Sequence, residues 1–136
     1  MLDRPACAQV FRDGVDRVSR LLRKIAPDFV RSDVYAQLLR ARLVGEALGV
    51  LPMDESAAAH EAEQAHSFQL VSEDPRVSGG FLFGRKQGAA LPFVNPVSTA
   101  FCVQALAWWD GWTRASGAVR GDRPTSAELG SKCNVI

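Results

Sequence analysis

No stretch of this sequence stays apolar long enough to cross a membrane, no run of Lys and Arg is interleaved with aromatic residues, and the cysteines are odd in number and far apart. Each absence removes a class. A spanning helix needs about 20 apolar residues, a nucleic-acid groove needs a basic stripe, and a disulfide framework needs cysteines in pairs. The opening Met1-Leu2-Asp3-Arg4-Pro5 also lacks the charged-then-apolar order of a signal peptide, so a cytoplasmic location with reduced thiols is expected. Histidine is scarce as well: only His60 and His66 occur, six residues apart. Two metal-ligating histidines on a helix belong at i and i+4, whereas this spacing turns them about 120° from each other. They read as surface histidines bonded to Glu63 or water, and neither a metal nor a cofactor is expected.

What is present fits one modest globular domain: 136 residues, 47% hydrophobic and 23% charged. The net charge of +1 hides an asymmetry, because residues 1–50 carry +3, residues 51–75 carry −6 and residues 76–136 carry +4. The acidic middle argues against a continuous surface for nucleic acid.

Helical periodicity recurs along the chain. Cys7, Phe11, Val15, Val18, Leu22 and Ile25 form one stripe, with Arg and Asp opposite and Pro27 as the stop, which predicts a half-solvated helix over 6–25. A second helix is expected over 33–48, capped by Ser32 or Asp33 and stopped by Gly49 and Pro52; on it Arg42 and Glu46 could pair. A third, over 54–68, is capped by Asp54, rich in alanine and glutamate, and expected to be largely exposed. Glycines and prolines then punctuate a long loop over 70–93. Asn95 as N-cap and Pro96 at the first helical position open a fourth helix. That helix is apolar all round, so it reads as the core helix, with Cys102 and Cys7 as small core residues. After Trp112 few residues could repay the entropy of ordering, so the domain is expected over 1–113 and a disordered tail over 114–136.

Gly79-Gly80-Phe81, followed by a buried helix with Ser98-Thr99 near its start and Gln104-Ala105-Leu106 further along, resembles the repeat of terpene-cyclase and protein-prenyltransferase α/α-toroids. The likeness is close over residues 75–110 and rests on helix alternation alone over 6–70. It implies an all-α fold of helical hairpins forming part of an α/α-toroid, with alternating outer and inner helices and loops facing a cavity. On that reading Asp33, Tyr35, Asn95 and Ser98, with Phe81, Phe83 and Arg85, would line the cavity, which would take a small apolar or sugar ligand. A complete toroid needs more hairpins, so the chain is expected to be a terminal piece, a truncated product or part of an oligomeric ring.

The family's chemistry has no counterpart here. The Asp-x-Asp-Asp acid of the cyclases does not occur, and no histidine follows residue 66 to complete a zinc site around Cys102. Ser98 has no histidine near it in sequence and is expected to bond the backbone. Glu73 and Asp74 could act as acid and base, or simply be solvated. Phe81, Phe83, Phe93, Trp108, Trp109 and Trp112 could line a cavity or anchor an ordinary core. Cys133, fourth from the end, has the spacing of a prenylation box, but Asn134 stands where an aliphatic residue is preferred. The expected function is that of a non-catalytic or incomplete toroid piece, packing through its inner helix on a partner, a second copy or missing hairpins. A terpenoid cyclase or prenyltransferase-like enzyme and a carbohydrate-acting toroid are the alternatives, and whether it is an enzyme is left open.

Overall fold

A computed structural model of the protein describes residues 4–121. In order, its elements are α1 (Arg4–Ile25), β1 (Phe29–Arg31), α2 (Ser32–Ala47), α3 (Glu55–His66), β2 (Gly84–Lys86), β3 (Ala89–Ala90) and α4 (Pro96–Gly121). The all-α expectation is thus corrected: helices dominate, but a small antiparallel sheet in the order β1-β2-β3 caps the end where α2 begins.

Two of its strands form inside the segment read as a loop. Gln87 and Gly88 both have positive φ, 50° and 79°, which suits the two-residue turn joining β2 to β3. Val30 pairs with Arg85 and Arg31 with Gly84, so β1 adds to the hairpin as a third strand. At Gly84 a side chain has no room, because a Cβ would meet the Val30 carbonyl and lie 3.3 Å from the Arg31 Cα. Alternation was invisible in so short and glycine-rich a run.

α2 is the central helix. It packs against α1, α3 and α4, and buries Tyr35, Ala36, Leu38, Leu39 and Leu43. Its direction relative to each neighbour follows from paired contacts. Arg12 of α1 donates to the Val50 carbonyl at 2.9 Å, which sets α1 antiparallel to α2. At the end of α2, Glu46 accepts a hydrogen bond from Trp112 late in α4, while at its start Ser32 lies beside Cys102 early in α4. Thus α2 and α4 run parallel. The start of α3 shares a cleft with Trp109 and Ser116 of α4, so α3 runs antiparallel to both.

Several local expectations change. The α2 N-cap is Arg31, without a side-chain cap bond, because Ser32 donates to the Phe83 carbonyl at 3.3 Å and Asp33 is held by Arg31. Asp54 does cap α3, accepting from the Ala57 N–H at 3.0 Å. α3 is not largely exposed: Ala58, Glu61, Ala62 and Ala65 form a buried face whose small side chains admit α2 closely. Cys7 is exposed rather than in the core, and only the middle of the α1 stripe, Val15 and Leu22, is buried. α4 buries Ser98, Cys102 and Ala105 but leaves Val97, Val103 and Trp108 exposed, so α2 rather than α4 is the core helix. α4 also continues through residues 114–121, which were assigned to the tail. Residues 122–136, Cys133 included, lie outside the described residues.

Gly84→Ala should cost about 1–3 kcal/mol, as overpacking against fixed backbone does. Urea unfolding of the two proteins measures this; an unchanged midpoint would mean that β1 and β2 are not in this register.

Candidate functional site

The residues expected to line a cavity divide between two places. At the sheet end, the extended segment 80–83 links the starts of α2 and α4. Phe83 accepts from the Ser32 N–H at 3.0 Å, Phe81 accepts from the Asn95 N–H at 3.3 Å, and the Phe81 N–H donates to Thr99 Oγ1 at 3.0 Å. Phe81 itself is sealed in the core. Asn95 caps α4, its Oδ1 accepting from the N–H groups of Val97 at 2.8 Å and Ser98 at 3.2 Å. The Ser98 hydroxyl is buried without a hydrogen-bond partner among the described residues, rather than bonding the backbone as expected.

Asp33 and Phe83 come together through Arg31. Both Asp33 carboxylate oxygens are held by that guanidinium, at 3.0 and 2.6 Å, and the guanidinium lies 4.9 Å from the Phe83 ring centre. Phe83 stacks on Phe93 at 5.2 Å. Arg85 lies over the Phe68 ring at 4.3 Å and donates to the Ser67 carbonyl at 2.8 Å. Nearby, burial pushes the Cys102 thiol up to about 11, which the Ser32 hydroxyl partly offsets and the Asp33 charge reinforces. Such a thiol is protonated and unreactive at neutral pH.

Tyr35 opens elsewhere. It lines a cleft of about 460 Å³ between α1, α2 and α3, whereas Asp33 lines an apolar groove of about 490 Å³ between α1 and α2. In the cleft, Tyr35 and His60 meet edge to face at 6.4 Å. Arg23 donates to Ser19 at 3.0 Å on the α1 wall, and Asp54 and Ser56 bring the start of α3 to the rim.

The floor of the cleft holds Glu61, which sequence reasoning passed over. It accepts two hydrogen bonds from Arg42 Nε, both 2.8 Å, and both side chains are about 95% buried. Arg42 therefore pairs with Glu61 and not with Glu46, which instead accepts from Trp112. A signal was available: Ala58, Ala62 and Ala65 mark the buried face of α3, and Glu61 falls among them at helical spacing. Burial dominates this carboxyl and pushes it up to about 7, against the opposing pull of Arg42. Burial likewise raises the Tyr35 hydroxyl, with Arg85 lowering it and Glu61 raising it further.

Outside the cleft, Asp74 is fully engaged by Arg76 at 2.7 Å, which lowers its carboxyl, so no acid and base pair forms with Glu73. Among the described residues no three His, Cys, Asp or Glu side chains gather as a metal site requires, and no helix is long and apolar enough to cross a membrane. No family model, curated protein or solved structure matches the chain. Its chemistry is read from its own residues.

The raised Glu61 carboxyl fixes a pH dependence. Between about 4.5 and 7 the unfolded carboxyl is ionised while the folded one keeps its proton, so the folded state binds more protons in that window. Stability from this group is present below that window and is lost as pH rises through it, at up to about 1.4 kcal/mol per pH unit. Glu61→Gln, neutral throughout, should lack this slope. Thermal unfolding of both proteins from pH 4 to 8 checks it, and parallel curves would place the folded carboxyl at its ordinary value.

Proposed function

We propose that the chain contributes two helical hairpins to an α/α-toroid and acts as a packing module, non-catalytic alone, whose open edges are covered by further hairpins or by a partner chain. The observation that carries this reading is the distribution of exposed apolar residues at the two ends of the helix series. At 100° per residue, Cys7, Val10, Gly14, Val18, Leu21 and Ile25 fall on the flank of α1 turned away from α3. Val10 is 72% exposed and Leu21 49%. Gly14 and Val18 of this flank, with Phe11, Val34 and Ala41, line the groove beside α2, and Val10 and Leu21 extend the exposed apolar surface along α1.

The opposite end is similarly open. α4 turns Ala100, Val103 and Ala107 outward, a small-residue face against which another helix could lie closely. The helix directions agree with the toroid pattern: α2 and α4, the inner pair on this reading, run parallel and begin at the same sheet, and α1 and α3 run the other way. Two open apolar edges flanking an alternating series are what a segment of a larger ring would present.

Replacing Val10 and Leu21 with Lys should abolish most of the binding of an apolar fluorescent dye and raise the concentration at which the chain associates at least several-fold. The urea midpoint should hardly move, since exposed substitutions change stability by about 0.5 kcal/mol or less. A parent chain that binds no dye and sediments as a monomer at every concentration would overturn the packing reading.

A further inference from the structure

We infer that the cleft between α1, α2 and α3 is a binding site for a small uncharged polyhydroxylated molecule, a sugar or polyol of mono- to disaccharide size. The inference stands apart from the toroid reading, because the cleft lies between the two outer helices and needs no further hairpin to complete it.

Its first support is the asymmetry of α1. The flank turned away from α3 is apolar, whereas the flank lining the cleft carries Ser19 and Arg23. A gap that only separated two packed helices would be closed by apolar side chains, since protein interiors are close-packed. Here polar groups from three helices converge on unfilled space. The volume, about 460 Å³, lies within the range of small-molecule sites.

The second support is Tyr35. Its side chain is buried, with the residue only 6% exposed, yet its hydroxyl has no hydrogen-bond partner among the described residues and opens on the cleft. The ring is thus held in the core while the hydroxyl faces the cleft unengaged, where it can donate to or accept from a ligand hydroxyl.

The class of ligand follows from the mixture of groups. Arg23, Ser19 and Ser56 can donate, while the Asp54 carboxylate accepts and the Glu61 carboxyl, engaged by Arg42, closes the floor. The Arg23 cation and the Asp54 carboxylate both line the cleft, so a strongly charged ligand would meet repulsion from one of them. Leu22, Leu38 and the Tyr35 ring give an apolar wall beside these groups. Hydroxyls that both donate and accept, carried on a C–H face that packs on such a wall, satisfy all three features.

The test is a titration of the ¹⁵N-labelled chain with glucose, mannose, galactose, trehalose and myo-inositol, with phosphate and acetate as charged probes, read by amide chemical shifts. At least one polyol should give saturable shifts confined to the amides near Ser19, Arg23, Tyr35 and 56–61. Tyr35→Phe, which keeps the ring, and Arg23→Ala, at an exposed position, should each weaken binding about five-fold or more with the remaining spectrum preserved. Saturation by the anions alone, shifts centred on another surface, no saturable response to any polyol, or unchanged affinity in both variants would each overturn the inference. None of these results would bear on the apolar edges, which the dye and sedimentation measurements address separately.

Discussion

The structure depends on one extended stretch of backbone, residues 80–83, whose peptide groups hydrogen-bond outward to three helices or their flanks. The Leu82 N–H donates to the Phe68 carbonyl at 2.9 Å, just past the end of α3. Phe83 receives the first N–H of α2 and Phe81 the N–H of the α4 cap. Since an unpaired buried peptide group is costly, these bonds leave the stretch little freedom to shift. Its side chains agree with its backbone: Phe81 is sealed in the core, and Gly80 leaves room for Val94, whose Cγ1 would lie 2.7 Å from any added Cβ. The parallel setting of α2 and α4 follows, because both helices start from carbonyls of the same extended stretch.

The Arg42–Glu61 pair performs a different task. Two buried charges contribute little net stability over apolar residues of the same volume, since desolvation consumes most of their attraction. The pair places one polar contact between α2 and α3 within the alanine face of α3. It also places a carboxyl at the floor of the cleft. The same side chain thereby belongs both to the packing of two helices and to the lining of the cleft.

How much of this could be read from the sequence depended on whether the signal was local. Asn95, Pro96 and Asp54 act within one helical turn, and the α4 start and the α3 cap lie where those residues put them. The stop at Gly49 is equally local, its φ of +67° being available to glycine at little cost. The strands were not legible, because Gly84–Lys86 and Ala89–Ala90 are too short to alternate and gain their partner, β1, from more than 50 residues away. The site was harder still. Asp33 and Tyr35 are near neighbours in sequence on one helix, yet they open on different spaces, because two residues on a helix are separated by about 200°. Glu61 was hidden by its surroundings: in an alanine- and glutamate-rich segment, high helix propensity looked like a reason for exposure, although the alanines were the contact face.

Composition misassigned the core helix for a related reason. α4 is apolar around much of its circumference, and that alone reads as burial. Burial, however, is set by how many neighbours a helix has, and α4 lies at the end of the series while α2 has α1, α3 and α4 around it. α2 meets those neighbours with a mixed surface: leucines toward the core, Arg42 toward Glu61, and Arg40 held between the Phe101 and Trp108 rings at 5.2 and 5.3 Å. Its polar residues are therefore spent on contacts within the protein, whereas the apolar residues of α4 at Val97 and Val103 face outward. A helix at the end of the described series that is more apolar than the central one keeps apolar side chains at its surface, so composition and burial part company in this fold.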